Sequence, residues 1–340
     1  MRKIFIIPVI CVILLMITVS KINLQTKDAP SSNPTWKDYP LTVVDSKANK
    51  IKALTPMLIQ NNTHTPADFA TYAKGKVDDV EITLIDANNN GVYDEKGKDA
   101  IVIGNSIYAL PVSPIICIKN KLYECKIEAT AEKISLAPYE GKCGEVDMLS
   151  NFKCPLKLEM LILNCGDIYL DVSKSKINTL PCGAYTLWLG YLTDKKGSAT
   201  IKQNEMKSID VTDELDKDNK KKVNLVQWGA PYRVDCSCTL QDNKITIPES
   251  LNVYGAAGEE YYNVTPSMLP AGVEIFDSTK KSVAKGLINR SAAATTENPY
   301  NTVNGGFSGT IKKGSTPPYT IKLSVKNSIF GELKSEKEVK

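Results

Sequence analysis

The sequence is short of histidine and of net charge. One histidine, His64, occurs in 340 residues, and the formal net charge is only +4. A charge this small gives no electrostatic basis for nucleic-acid binding, which needs a basic face to displace counterions. The basic run Lys220, Lys221 and Lys222 follows an acidic stretch that largely cancels it. We therefore expect no nucleic-acid partner.

Recognisable catalytic motifs are also lacking. Ser-His-Asp chemistry would have to use His64, which lies in a polar segment typical of a surface loop. Gly306-Phe307-Ser308-Gly309 is not the G-x-S-x-G of a nucleophile elbow, and no glycine-rich phosphate loop occurs. Glu259 and Glu260 are adjacent, so on a strand they point to opposite faces. We expect no enzyme, although a glycosidase remains open because two carboxylates suffice for one.

Long apolar runs are confined to the N-terminus. Arg2 and Lys3 precede the apolar run 4–19, the pattern of a secretory signal peptide. Its sixteen residues fall short of the roughly 20 that span a bilayer, and Pro8 would disturb a permanent helix. We expect residues 1–20 to be a cleaved signal peptide, with an uncleaved anchor as the alternative. The mature chain would then have no membrane span and would be secreted or held in the cell envelope.

Eight cysteines follow the one in the signal segment. An even number in an exported chain predicts structural disulfides, but eight cysteines allow 105 pairings. Cys117–Cys125 and Cys143–Cys154 would be local links, whereas Cys236-Ser237-Cys238 also leaves a redox or metal site open. The eight predicted disulfide residues are Cys117, Cys125, Cys143, Cys154, Cys165, Cys182, Cys236 and Cys238.

The distribution of cysteine and of short strands predicts the domain organisation. Residues 21–40 are polar and proline-containing, as in a flexible linker. A cysteine-containing β-rich region, with room for two subdomains, would cover 41–238, and an immunoglobulin-like β-sandwich would cover 239–340. One short helix is predicted at 66–73, capped by Thr65. The predicted strands are 80–85, 100–103, 115–118, 126–129, 158–163, 168–172, 186–192, 199–202, 206–211, 223–228, 244–247, 251–254, 261–264, 273–276, 306–311 and 319–325.

One loop has the spacing of a calcium site. In Asp86-Ala87-Asn88-Asn89-Asn90-Gly91-Val92-Tyr93-Asp94, oxygen side chains fall at positions 1, 3, 5 and 9, with glycine at position 6. The loop resembles those of the dockerin and EF-hand class, but Gly97 replaces the usual glutamate at position 12, where Asp99 could substitute. Strands, not helices, are predicted on both sides. The alternative is a plain hairpin turn, which Asn-Gly favours. The Ca²⁺ ligands that the resemblance implies are Asp86, Asn88, Asn90, Val92, Asp94 and Asp99.

A second short motif suggests a sandwich architecture. Leu180-Pro181-Cys182-Gly183-Ala184-Tyr185-Thr186-Leu187 resembles the LPxGxYxL signature of prealbumin-like sandwich modules. The resemblance implies that the glycine allows a tight turn and that the tyrosine packs inside. With the calcium-type loop and Trp228-Gly229-Ala230-Pro231, it resembles exported bacterial β-sandwich proteins. The alternative is a chance turn between two strands.

These features together predict a mainly β protein: a disulfide-linked, prealbumin-like region followed by an immunoglobulin-like sandwich. We expect a non-enzymatic structural or adhesive role in the cell envelope or outside the cell. The expected partners are another protein, a second copy of the chain, or a glycan. The alternative is a secreted carbohydrate-active enzyme or its carbohydrate-binding module, in which Trp36, Trp188 and Trp228 could stack against sugar rings. A core position is expected for Trp188.

Overall fold

The structure, a computed structural model, describes residues 34–218, 220–290 and 305–339. The predicted signal peptide and most of the predicted linker lie outside this part of the chain. Within it the protein is mainly β, as the sequence predicts, and it has thirty strands and one short helix. The described residues contain no helix with both the length and the hydropathy needed to cross a membrane.

The first hundred described residues build one sheet that rolls around its own core. Eight strands pair in the order β7-β6-β5-β4-β1-β10-β9-β8, and β2 and β3 form a separate ribbon. The elements are β1 (Lys37–Asp45), β2 (Ile51–Ala53), α1 (Pro56–Gln60), β3 (Ala67–Phe69), β4 (Thr71–Val77), β5 (Val80–Ile85), β6 (Ala100–Ile103), β7 (Leu110–Pro111), β8 (Ile115–Ile118), β9 (Lys121–Ile127) and β10 (Lys133–Pro138).

The short connection between the two edge strands requires the curvature of this sheet. If the eight-stranded sheet were flat, its edge strands β7 and β8 would be about 34 Å apart. Only residues 112–114 connect them, and that length of chain reaches about 14 Å. The sheet therefore curves until its edges approach. Ile82, Leu84, Ile101, Ile134 and Leu136 line the resulting core and are fully or almost fully buried.

The position of the helix differs from the prediction. Residues 66–73 are not helical, because β3 pairs with β2 and β4 pairs with β1. The helix begins ten residues earlier, at Pro56, where the Thr55 hydroxyl accepts a hydrogen bond from the Leu58 amide at 3.4 Å. Ile59 of this helix packs into a small cluster with Met160, Ile162 and Leu189. A Thr-Pro pair begins both segments, and tertiary packing decides between them.

The remaining strands build several sheets around a second, larger core. They are β11 (Cys143–Asp147), β12 (Phe152–Lys153), β13 (Lys157–Cys165), β14 (Ile168–Asp171), β15 (Asn178–Pro181), β16 (Gly183–Asp194), β17 (Gly197–Lys202), β18 (Ile209–Val211), β19 (Val223–Leu225), β20 (Trp228–Gly229), β21 (Arg233–Cys236), β22 (Thr239–Gln241), β23 (Lys244–Ile247), β24 (Leu251–Tyr254), β25 (Glu260–Thr265), β26 (Ala271–Phe276), β27 (Ser282–Ile288), β28 (Phe307–Thr310), β29 (Tyr319–Asn327) and β30 (Gly331–Val339).

One sheet continues across the predicted domain boundary at residue 239. Its order is β14-β13-β16-β17-β25-β24-β21, with β18 also paired to β16. Strand β17 bonds to β25, so residues from both sides of the boundary share a ladder, with Ile201 opposite Tyr261. A four-stranded sheet, β27-β26-β29-β30, follows in the C-terminal part. The domain division at 238/239 stays a prediction. Strands from both sides of it belong to the same sheet.

The LPxGxYxL segment lies at the centre of the second core. Tyr185 is 0% exposed, and its hydroxyl donates to the Pro181 carbonyl at 3.0 Å. Gly183 is needed for close approach, because a Cβ there would stand 2.8 Å from the Cys165 Sγ. Its φ is not in the left-handed region, so close packing explains this glycine better than the expected tight turn.

Candidate functional site

The calcium-type loop connects two paired strands, β5 and β6. Ile85 is opposite Ala100 at the end of their ladder, so Asp86 and Asp99 are the next residues on the two strands. The side chains of residues that face each other across an antiparallel pair share one side of the sheet. The ladder therefore brings together two predicted ligands that are thirteen positions apart in the sequence.

Both of these carboxylates are turned inward. Asp86 is 3% exposed and Asp99 is 2% exposed. Asp86 accepts hydrogen bonds from the amides of Asn90 at 3.1 Å and Gly91 at 2.7 Å. Asp99 accepts from the amides of Ala87 at 3.3 Å and Glu95 at 2.9 Å. These bonds fold the loop onto the two acids, and each carboxylate oxygen has a further lone pair.

The electrostatics of the loop favour a cation. Burial raises the pKa of Asp99 to about 6, and the nearby charges of Asp86 and Glu95 also raise it. Burial raises the pKa of the Tyr93 phenol, and Asp86, Asp45 and Asp99 contribute in the same direction. Desolvation and like-charge repulsion both disfavour the ionised form of Asp99, against the amide hydrogen bonds from Glu95 and Ala87, and a bound cation would relieve both.

Glu95 is a residue that the motif does not predict. Its Oε2 accepts hydrogen bonds from the side-chain amides of Asn88 at 2.7 Å and Asn90 at 2.6 Å. Lys98 pairs with its Oε1 at 2.6 Å, and these bonds, that of Lys98 foremost, lower the pKa of Glu95 to about 2. It stands at position 10 of the loop, where the EF-hand pattern does not require a ligand. Glu95 thus orients two of the predicted ligands.

The other predicted ligands are less enclosed. Asp94 is exposed, and the Val92 amide donates to the Asn90 Oδ1 at 2.9 Å. Across residues 34–218, 220–290 and 305–339, no three histidine, cysteine or acidic side chains converge as a metal-binding group. A calcium ion here would therefore need amide and main-chain oxygens beside the carboxylates, and such hard oxygen donors are those that calcium prefers.

The adjacent acids Glu259 and Glu260 serve two separate networks. Glu259 is 0% exposed and accepts from the Gly229 amide at 2.6 Å, the Ala257 amide at 3.1 Å and the Tyr261 hydroxyl at 3.2 Å. Glu260 accepts from the Asn204 side chain at 2.6 Å and pairs with Lys202 at 3.3 Å. The two carboxylates therefore bond to different groups.

A cavity of about 220 Å³ lies between the rolled sheet and β14. Tyr108 and Tyr169 are among its lining residues, and Asp171 is its one acidic residue. A glycosidase needs two carboxyl groups about 5–10 Å apart across the substrate. This cavity therefore lacks the second acid of such a site.

The three tryptophans and the histidine have different contacts. Trp228 is buried, and its Nε1 donates to the Met148 carbonyl at 2.5 Å. Trp188 packs edge-on against Tyr169, with ring centroids 5.1 Å apart. Trp36 carries the Lys126 ammonium above its ring at 3.8 Å. His64 stacks on Tyr191 and contacts the Asn62 side chain at 2.9 Å, in a half-buried place.

No two of the eight cysteines are bonded to each other among the described residues, and the disulfide framework stays a prediction. The local link Cys117–Cys125 is contradicted by the strand register. Cys117 is opposite Leu122, whereas the Cys125 amide donates to the Pro114 carbonyl. The two cysteines are thus three register steps apart, roughly 10 Å, and they point to opposite faces. A disulfide needs Cα atoms within about 7 Å.

Other cysteines lie in distinct environments. Cys154 neighbours Tyr232, whereas Cys143 lies with Cys182 and Lys221, so the predicted link Cys143–Cys154 is not favoured. Burial raises the pKa of Cys236 to about 11, with smaller contributions from Cys238 and Asp235. A buried thiol of this kind is a poor nucleophile, which argues against a redox role for Cys236-Ser237-Cys238.

No known family model matches this chain, and neither the curated proteins nor the solved structures include one that is significantly similar to it. The sequence resemblances therefore rest on the short motifs alone.

Proposed function

We propose that this chain is a non-enzymatic structural or adhesive protein of the cell envelope or extracellular space, stabilised by calcium at loop 86–99. The observation that supports it most is the pair Asp86 and Asp99, two carboxylates almost fully buried beside each other. Two buried like charges destabilise a fold unless a proton or a cation neutralises them. With Asn88, Asn90 and Glu95 around the same loop, calcium is the cation whose ligand chemistry fits.

The architecture we propose is a prealbumin-like sandwich around Tyr185, followed by an immunoglobulin-like sandwich in the C-terminal part. The buried Tyr185, with its hydroxyl bonded to Pro181, supports the first assignment. The four-stranded sheet β27-β26-β29-β30 supports the second. Such sheets offer broad faces and strand edges to a protein partner, a second copy or a glycan.

The edge strand β30 is the surface that best suits a protein partner. Among the described residues its ladder partner is β29 alone, over nine residues, and near its C-terminal end Lys337 also bonds to Asp235 and to the Cys236 carbonyl of β21. Glu332, Lys334, Glu336 and Lys337 alternate in charge along it, which protects an edge from indiscriminate pairing. A partner of complementary charge pattern could still add a strand there.

Thermal unfolding with and without calcium tests the calcium proposal. With a Kd near 1 mM, as in extracellular calcium modules, 10 mM CaCl₂ should raise the Tm by about 2–3 °C. Asp86→Asn should abolish this shift. The matched control Asp242→Asn changes an exposed turn aspartate to the same amide and should keep it. Equal Tm values with calcium and with a chelator would contradict the proposal, and MgCl₂ controls for ionic strength.

The extracytoplasmic location is a separate proposal, supported by the charged and apolar pattern of residues 1–20. Cell fractionation followed by mass determination of the recovered N-terminus tests it. Recovery from the envelope or medium, beginning near residue 21, is expected. Recovery from the cytosol would contradict it.

A further inference from the structure

Three cysteines meet where β11, β15 and β16 come together, and their pairing can be derived from the strand register. Cys143 is opposite Pro181 in the β11–β15 ladder, and the Cys182 amide donates to the Lys142 carbonyl at 2.9 Å. Cys143 and Cys182 are thus diagonal neighbours on adjacent strands, with Cα atoms roughly 6 Å apart. That separation lies within the range that a disulfide bridges without backbone movement.

In a regular ladder, diagonal neighbours point to opposite faces, but the chain is irregular here. Strand β15 ends at Pro181, β16 begins at Gly183, and Cys182 forms the bend between them. Both thiols interact electrostatically with the Tyr139 and Tyr185 phenols and with the Lys221 ammonium. Cys182 also acts electrostatically on the Cys143 thiol itself, which is consistent with two neighbouring sulfur atoms.

Cys165 is close by, at the end of β13, but among the described residues no ladder pairs it with either of the other two cysteines. The β13–β16 ladder ends with Asn164 opposite Thr186, one residue before Cys165. The Cys165 sulfur covers Gly183 and has the Ala184 amide as its backbone partner. The β11–β15 ladder, in contrast, places Cys143 directly beside the strand that leads into Cys182. The strand pairing therefore favours Cys143 over Cys165 as the partner of Cys182.

We propose that Cys143 and Cys182 form a disulfide bond and that Cys165 remains a thiol. The proposal deepens the extracytoplasmic function proposed above and rests on it, because the bond needs an oxidising compartment. Both thiols are half-buried, so a small oxidant or the active-site loop of a thiol–disulfide exchange protein can reach them.

The oxidant is a disulfide, and the exchange balances. The thiolate of one cysteine attacks the oxidant, forms a mixed disulfide and releases one thiolate of the oxidant. The thiolate of the second cysteine then attacks the protein sulfur of the mixed disulfide and releases the second thiolate of the oxidant. The protein loses two protons and two electrons, and the oxidant becomes two thiols. Lys221 favours the thiolate form of both cysteines, against the larger effect of burial.

Peptide mapping of the full chain tests the pairing. The protein is purified with a reductant, exchanged into oxidised glutathione, alkylated and digested without reduction. We expect a cross-linked peptide containing Cys143 and Cys182, with Cys117, Cys125 and Cys165 alkylated. A cross-link to Cys165, or alkylation of both Cys143 and Cys182, would overturn the proposal. This mapping uses the wild-type chain, so a variant that folds poorly does not affect it.

Thermal melts of variants provide a second measurement. The oxidised protein should melt about 5 °C above the reduced one, because the bond closes a loop of about forty residues. Cys143→Ser and Cys182→Ser should each remove the difference, and the matched control Cys165→Ser should keep it. If the bond forms in glutathione but is absent from protein recovered from cells, the location is wrong and the pairing holds. If it forms in neither, the pairing is wrong.

Discussion

The loop 86–99 and the Glu259 network both bury carboxylates, but they differ in what surrounds the charge. Glu259 is a single acid with three protein donors and no second acid in its network. In the loop, Asp86 and Asp99 are buried together, and Glu95 stands close enough to raise the pKa of Asp99. The difference teaches that burial alone does not define a site. The presence of a second buried acid beside the first is what led us to propose a cation at the loop.

The largest effect on stability is expected for the Glu259 network, in which the protein itself supplies all three hydrogen-bond donors. Glu259→Ala leaves the Gly229 amide, the Ala257 amide and the Tyr261 hydroxyl without an acceptor in a fully buried place. This should lower the free energy of unfolding by about 3–5 kcal/mol. Urea unfolding followed by circular dichroism measures it. Glu338→Ala, at an exposed glutamate, is the control and should change stability by less than about 0.5 kcal/mol. A similar result for both variants would refute the structural role of Glu259.

Asp86→Ala, measured without calcium, should have a smaller effect. The amides of Asn90 and Gly91 lose their acceptor, but Asp99 loses a repelling neighbour, and the two effects partly cancel. We expect a loss of about 2 kcal/mol in the same urea experiment. In calcium the loss should grow, because the wild-type protein alone gains from binding. Equal losses of stability with and without calcium would show that loop 86–99, like the Glu259 network, does not depend on a cation.

The pH dependence of stability should distinguish Glu259 from its amide variant. Burial raises the pKa of Glu259 above its ordinary value, although its hydrogen bonds act in the opposite direction. The folded state therefore binds the proton more tightly than the unfolded state. The stability that this tighter proton binding adds is complete below the pKa of Glu259 in the unfolded state, near 4.3. It declines as the pH rises through the pKa of Glu259 in the folded state. Urea unfolding from pH 4 to 7 should show a steeper fall for wild type than for Glu259→Gln. Parallel pH curves would contradict this.

The smallest effect on the unbound protein is expected for Glu95→Gln. Glu95 orients Asn88 and Asn90, so its loss should weaken calcium binding about tenfold, as is usual for groups that orient metal ligands. Stability without calcium should change little, because the amide oxygen of the variant can still accept hydrogen bonds from Asn88 and Asn90. Isothermal titration with CaCl₂ measures the affinity, with the exposed Glu140→Gln as control. An unchanged affinity would remove Glu95 from the site.

Some of the strand positions were predictable from sequence, because alternation and β-branching are local signals, whereas β1, β4, β10, β27 and β30 coincide with no predicted strand. The predicted strands 80–85, 100–103, 115–118, 244–247 and 251–254 are confirmed with the same bounds as β5, β6, β8, β23 and β24. Partner choice was not predictable. The segment after Thr65 has a helix cap and proline at the right places, yet it pairs with neighbouring strands that the local sequence does not reveal.

The candidate site was predictable only in part, for a similar reason. The motif identified Asp86 from local spacing and suggested Asp99 as a substitute ligand. Glu95 was missed, because its role depends on how the loop folds back onto Asn88 and Asn90. The burial of Glu259 was missed too, since a Glu-Glu pair on a strand gives no local sign of three donors that come from Gly229, Ala257 and Tyr261.

Strand β1 has a mechanical consequence. Residues 37–40 bond to β10 and residues 41–45 to β4, so one continuous strand crosses from one half of the rolled sheet to the other. Tension applied to the chain ahead of Lys37 would pull this strand along its own axis. The hydrogen bonds on its flanks would then have to shear together and could not unzip one at a time. In a protein tethered at that end, the hydrogen bonds of β1 would therefore be the first in the sheet to carry the load.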